Sequence, residues 1–151
     1  MIKIHIATDH AGFEMKNFLK YSLTDMGHEV IDHGANEYDA QDDYPDYVIP
    51  CARAVAGDPA SMGIVLGGSG QGEQIAANKV DDIRAIEYYG GNLDTVIFGR
   101  EHNNANIISL GARFMNNEEA LEAVKVFINT EFSTEERHTR RLEKVKKYAD
   151  K

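Results

Sequence analysis

At 151 residues, with 42% hydrophobic and 27% charged residues, the chain has the length and balance of one globular domain. A net charge of −9 argues against nucleic acid, which requires a positive footprint, and the lone Cys51 excludes a disulfide framework or a multi-cysteine zinc site. No apolar run reaches the 18 or so residues of a membrane span, and the segment after Met1 lacks a signal-peptide pattern, so a soluble, cytoplasmic protein is expected.

Apolar runs of β type alternate with helical patterns. Ile2–Ala7 predicts a first strand, and Ala11–Met26 a helix closed by Gly27. Glu29–Asp32 is a short second strand. A polar stretch, Asn36–Asp43, precedes a helix that starts at Pro45 and runs to Ala56. Gly63–Leu66 has the unbroken apolar character of a strand buried on both faces, and it runs into Gly67–Gly72 and a helix from Glu73. Ile83–Tyr88 is a fourth strand, Leu93–Arg100 a helix and Ile107–Leu110 a fifth strand. Helices over Glu118–Asn129 and Glu135–Ala149 close the chain. No repeat or linker divides it, so residues 1–151 are expected to form one domain. The alternation predicts a three-layer α/β/α fold around a five-stranded, mostly parallel, Rossmann-like sheet. Ligands of such sheets bind where strands end at their carboxyl edge. That edge begins here at Thr8-Asp9-His10, Gly34, Gly67, Tyr89 and Gly111.

The strongest chemical signal is the turn Gly67-Gly68-Ser69-Gly70-Gln71-Gly72-Glu73. Its four glycines bring backbone N–H groups close to a ligand. It nearly matches three familiar motifs and fails each. Glu73-Gln74 stands where a P-loop needs Lys-Ser/Thr. Glu73 replaces the last glycine of a dinucleotide fingerprint, and Gln71 that of a nucleophile elbow. A phosphate about 4 Å from the Glu73 carboxylate would be repelled by roughly 4 kcal/mol at an effective dielectric near 20. The loop therefore suits a carboxylate base flanked by N–H groups that hold an oxyanion. A glutamate that merely caps a plain glycine turn is the competing reading.

Other segments are weaker. Asp9-His10 could orient a hydroxyl or shuttle a proton, or Asp9 could simply cap the next helix. Arg100–Asn104 reads as a solvated connection. Arg113 leaves the fifth strand at the ligand edge, where an arginine suits a phosphate. Residues 137–151 hold seven Lys or Arg against Glu143 and Asp150, a net of +5 that leaves −14 on the rest. Within them Arg137, Arg140 and Arg141 share one helix face beside His138, either a phosphate clamp or an exposed basic face. Glu37, Asp39, Asp42, Asp43 and Asp46 read as a solvated acidic loop. Cys51 reads as core, and His5, His28 and His33 receive no role.

Together, Thr8-Asp9-His10-Ala11-Gly12, Asp43-Tyr44-Pro45, Gly67–Val80, Arg100–Asn104, Gly111-Ala112-Arg113 and Arg137–Arg141 resemble the RpiB/LacAB family of sugar-phosphate isomerases, the type B ribose-5-phosphate isomerases in particular. The likeness runs from Ile4 to about Leu142. It implies cofactor-free and metal-free interconversion of ribose 5-phosphate and ribulose 5-phosphate through a cis-enediolate. By the same resemblance Glu73 is the base. Ser69 and the N–H groups from Gly68 through Gly70 to Gly72 form the enediolate hole. Asp9 and Asn103 hold sugar hydroxyls, His102 assists ring opening, and His10, Arg113, Arg137 and Arg141 hold the phosphate. One branch of the family uses a cysteine base where Gly67 stands, so this chain resembles the glutamate branch. The stretch Glu87–Leu93 departs from the His-Asp turn of many members. That leaves six-carbon (allose or galactose 6-phosphate) and four-carbon substrates open, beside a non-catalytic sugar-phosphate-binding module or a purely structural protein. The expected assembly is a homodimer, or a tetramer, whose sites pair one chain's Glu73 with the other's His102, because His102 should lie at the amino edge of the sheet.

Overall fold

The computed structural model describes residues 1–149. Asp150 and Lys151 of the basic tail lie outside the described residues. Five strands, β1 (Lys3–Thr8), β2 (Glu29–Asp32), β3 (Met62–Gly67), β4 (Ala85–Tyr88) and β5 (Ile107–Gly111), form one sheet in the order β2-β1-β3-β5-β4. Every pairing is parallel. The helices are α1 (Phe13–Asp25), α2 (Pro45–Ala56), α3 (Gln71–Asn78), α4 (Asp94–Asn103), α5 (Asn117–Asn129) and α6 (Glu136–Ala149).

Alternation along the central strands supplies a core on each face of the sheet. Ile4 and Ile6 of β1, Ile64 and Leu66 of β3, and Ile108 and Leu110 of β5 pack with Leu19 and Leu23 of α1, Val96 of α4 and Phe127 of α5. Ala7, Val65 and Ile107 face the other way, onto Val48, Cys51 and Val55 of α2 and Ala77 of α3. The expected three layers are present. Cys51 is fully buried, and burial pushes its thiol well above the usual range. Helix α6 joins neither core. It rests on the end of α4, and His138 is its one buried residue. No helix among the described residues is long and apolar enough to cross a membrane.

Several boundaries differ from expectation, each for a local reason. The expected Ala11–Met26 helix is a single 3₁₀ turn, His10–Gly12, followed by α1; Asp9 caps that turn by accepting from Ala11 N–H at 2.9 Å. α1 still ends before Gly27, whose φ of +93° is the left-handed conformation expected there. β4 begins at Ala85 rather than Ile83, because Asn78 and Gln74 of α3 bond to the Ala85 backbone. The Arg100–Asn104 segment is no solvated connection. It is the last turn of α4 with its cap at Asn104, and Arg100 is buried, bonding through Nε to Thr130 O at 2.9 Å. Pairing β1 with β3 while β2 lies outside β1 places the switch point of the sheet between β1 and β3. The turn carrying Asp9-His10 and the glycine loop therefore flank one crevice.

Candidate active site

Three strand exits build this crevice. Thr8, at the end of β1, donates from Oγ1 to Leu66 O at 3.0 Å and so locks the first turn to the third strand. The glycine loop leaves β3, reaches a φ of +80° at Gly70 and enters α3 at Gln71. Ser69 Oγ accepts from Gln71 N–H at 3.3 Å. Arg113, on the turn after β5, donates its backbone N–H to Gly68 O at 3.0 Å and lays its side chain against Gly68. Opposite, the Tyr44 phenol covers Gly72, where a Cβ would lie 2.6 Å from the phenolic oxygen.

Glu73 sits in the first turn of α3 and is 4% exposed. Its carboxyl fills the space that the missing side chain of Gly67 leaves. Burial raises its pKa above the ordinary carboxylate value; its own backbone N–H opposes that in part, and nearby Asp9 adds to it. A buried carboxylate with a raised pKa, poised in a crevice, has the properties of a general base. A capping glutamate would instead accept from the N–H of the N-cap residue, Gly70, and would not call for burial.

His10 is bound to Asp42. Its Nδ1 lies 2.7 Å from Asp42 Oδ1, which also accepts from His10 N–H at 3.0 Å. That bond raises the His10 pKa; burial opposes it, Asp9 and Asp42 charges add to it and Arg113 lowers it. His10 and Arg113 line a cavity of about 600 Å³ together with Phe13, Glu14 and Tyr38. Two cationic groups facing one cavity, apart from the Glu73 carboxylate, can hold a phosphate. Asp9, His10 and Asp42 also bring one ligand atom each within 4.8 Å of one another, the spacing a metal ion could use. His10 Nδ1 is engaged by Asp42 Oδ1 and Asp9 Oδ1 by Ala11 N–H, while Asp42 Oδ2 is buried with no hydrogen-bond partner.

The remaining expected residues lie elsewhere. His102 and Asn103 end α4, and a helix between parallel strands delivers its C-terminus to their amino ends. There His102 stacks between Phe98, with ring centroids 4.9 Å apart, and His138 of α6, at 4.4 Å. Arg137 and Arg141 follow on α6 and are exposed, Arg137 with Glu135 at 3.4 Å and Arg140 with Glu136 at 2.6 Å. The expected site residues thus fall into two groups at opposite ends of the sheet. Asp9, His10, Ser69, Glu73 and Arg113 stand at the carboxyl edge, and His102, Asn103, Arg137 and Arg141 at the opposite end.

Two residues beside the first group were not singled out from the sequence. Asp42 was submerged in a run of acidic residues, and its separation from the rest shows only in its 5% side-chain exposure against His10. Tyr44 belongs to Asp43-Tyr44-Pro45, a triplet whose place in the resemblance was the one signal available.

A sequence model of the family described as Ribose/Galactose Isomerase matches residues 4–145. Ribose-5-phosphate isomerase B of Mycobacterium tuberculosis (strain ATCC 25618 / H37Rv) is 45% identical over 147 residues, 97% of this chain and 90% of that protein. The protein of the same name from Mycobacterium leprae is 44% identical, over 94% and 86% of the respective chains. Among solved structures, ribose-5-phosphate isomerase B from Mycoplasma genitalium with bound ribulose-5-phosphate superposes with a TM-score of 0.94 at 34% identity, covering 99% of this chain and 97% of that one. The Clostridium thermocellum enzyme gives 0.92 at 38% identity, covering 99% and 98%.

Proposed function

Because the chain belongs to the ribose/galactose isomerase family, we propose that the protein interconverts ribose 5-phosphate and ribulose 5-phosphate, with Glu73 as the base. Glu73 takes the proton from C2 of the open-chain aldose and returns it to C1. The electron pair moves onto the carbonyl oxygen, giving a cis-enediolate; the O2 hydroxyl proton passes to O1, so that C2 becomes the ketone carbonyl as C1 receives its proton. Ser69 and the N–H groups of the Gly68–Gly72 turn, which leads into the helix carrying Glu73, are the donors that would stabilise the developing oxyanion. His10 and Arg113 take the phosphate in their cavity, and Asp9 takes a sugar hydroxyl.

A single observation carries this reading. The Glu73 carboxyl is buried against Gly67, within electrostatic reach of Asp9, while His10 and Arg113 line a cavity that Glu73 does not line. A loop built only to bind phosphate would gain nothing from that charge.

His102, Asn103, Arg137 and Arg141 complete the reading from a second copy of the chain. A strand of five or six residues spans about 17–20 Å, more than a side chain can cross. A two-fold dimer would bring one chain's amino-edge residues to the other's carboxyl edge and build two equal sites. A tetramer of such dimers is the alternative assembly. The single buried thiol suits a reducing compartment, and a cytoplasmic location belongs to the same reading.

The test is turnover of ribose 5-phosphate in a coupled assay with no added metal, run beside four-carbon and six-carbon aldose phosphates. Turnover of ribose 5-phosphate above the others is expected. Preference for a six-carbon phosphate would move the substrate, and no turnover of any would remove the enzyme reading.

A further inference from the structure

Edge strand β4 carries a carboxylate that the isomerase reading does not use. Glu87 pairs in register with Ser109 of β5. Its neighbour Ile86 packs on the α1 side of the sheet and Ala85 on the α2–α3 side, so alternation turns Glu87 toward α3. There both carboxyl oxygens are shut off from solvent and neither has a hydrogen-bond partner. The group packs directly beneath Gly70: a Cβ on that residue would lie 2.6 Å from Glu87 Oε2. Gly70 is the left-handed residue through which the glycine loop enters α3. Its carbonyl is held from below by the Ser109 hydroxyl at 2.6 Å and from above by Gln74 N–H at 3.0 Å.

Among the described residues, the surroundings supply no cation. From α3, Gln74 and Asn78 spend their amides on the Ala85 backbone, and the one charged residue acting on Glu87 is Glu73. From β5 comes the neutral Ser109. Tyr44 of α2 lies against Gly72, and Arg113 lies against Gly68 and acts on His10. Burial is the largest influence on the Glu87 carboxyl; the nearby Ser109 hydroxyl, whose proton is committed to Gly70 O, opposes it only in part and Glu73 adds to it, so its pKa is pushed up to about 7.

We propose that Glu87 is a positioning residue for the isomerisation, a carboxylic acid held neutral beneath Gly70 whose ionisation switches the glycine loop off. The inference rests on reading Glu73 as the base and the loop as the enediolate hole. In its neutral form Glu87 fills the space under the loop and adds no charge. Once ionised, it places a second negative charge behind the N–H groups that must receive an oxyanion, and next to a base that already carries one. Repulsion then disfavours the enediolate-like transition state more than the uncharged sugar end of the bound substrate, so the loss falls on kcat.

The experiment is a kcat–pH profile on ribose 5-phosphate for the wild-type protein, Glu87→Gln and Glu87→Asp. Wild-type kcat should rise as Glu73 ionises and then fall above about pH 7, by on the order of tenfold or more. Glu87→Gln should keep the acid limb, where Glu87 is neutral in either protein, and lose the basic limb. Glu87→Asp should retain a basic limb. Infrared difference spectra give a readout independent of turnover. A protonated-carboxylic-acid band should disappear on titration through about pH 7 in the wild type and be absent from Glu87→Gln. Should Glu87→Gln fail to fold, that band in the wild type, assigned by isotope-labelled glutamate, decides alone. A wild-type basic limb in Glu87→Gln, or a Glu87 already ionised at pH 5.5, overturns the proposal. Full activity in Glu73→Gln would instead overturn the site reading beneath it, so the two failures are distinguishable.

Discussion

Gly67 and Glu73 share one volume: a Cβ on the last residue of β3 would overlap the carboxyl group of the third residue of α3. The bare glycine is what allows the carboxylate to fold back, out of solvent, against the end of the strand. Gly67→Ala should therefore expel Glu73 from its seat. Since a general base contributes about 10²–10⁴-fold, kcat should fall by about a hundredfold or more while the far-ultraviolet circular dichroism stays native. Unchanged kcat in a folded Gly67→Ala protein would mean that the seat is irrelevant to the chemistry.

Glu73→Gln keeps the shape of the side chain and removes its basicity. Turnover should fall by about 10²–10⁴-fold while binding of the sugar phosphate, measured by calorimetry, persists. More than about a tenth of wild-type kcat would assign the base to another group.

His10 is expected to give the site a second pH dependence, separable because it would act on binding. The Asp42 bond raises the His10 pKa, so the imidazolium persists above the ordinary histidine range and is lost as pH rises through the raised value. Above about pH 7 the substrate phosphate, whose second pKa is about 6, is already a dianion. KM should then be flat up to the His10 pKa and climb beyond it. Asp42→Asn removes the largest cause of the shift and should move that climb to lower pH. An Asp42→Asn profile identical to wild type would detach His10 from phosphate binding.

The five strands and their alternation with helices were legible because the central strands are largely apolar and the turns leaving them hold glycine or a small polar residue. The α2 boundaries, Pro45–Ala56, match expectation because Pro45 pre-sets the first helical turn. Where the reading failed, a distant partner decided the local structure. Arg100 reads as a solvent residue, yet it is drawn inward by the carbonyls of Asn104's neighbour Ala105 and of Thr130. Asp42 resembles the exposed acids around it until His10, far away in sequence, claims it. Glu87 sits in a strand pattern that gives no sign of a carboxyl sealed beneath a glycine loop. In each case the deciding neighbour is distant in sequence, and hydrophobic periodicity carries no record of it.

Arg137 and Arg141 belong to an exposed helix face in the isolated chain, where surface charge contributes little to stability. Arg137→Ala and Arg141→Ala should accordingly leave Tm nearly unchanged. If these residues reach a neighbour's phosphate, each variant should weaken binding of phosphorylated substrate by about 1.5–3 kcal/mol, and weaken inhibition by inorganic phosphate. Wild-type KM and phosphate inhibition in both variants would leave α6 a solvated face.

The arrangement of the two groups of site residues makes one prediction that a self-contained site cannot share. Glu73 stands at the carboxyl end of the sheet, and His102 ends α4 at the amino end, stacked on His138. In a two-fold dimer that joins these ends, each site takes Glu73 from one chain and His102 from the other. Glu73→Gln and His102→Ala, each inactive alone, are unfolded in denaturant, mixed and refolded. A mixed dimer then contains one site with both defects and one site with neither, and half of the refolded dimers are mixed if association is random. About a quarter of wild-type activity should reappear, since half of the dimers would each hold one intact site of two. Sites confined to one chain would leave every site in the mixture with one defect. A mixture as inactive as its parents, with mixed dimers demonstrated by native mass spectrometry, would therefore place His102 outside the neighbour's active site.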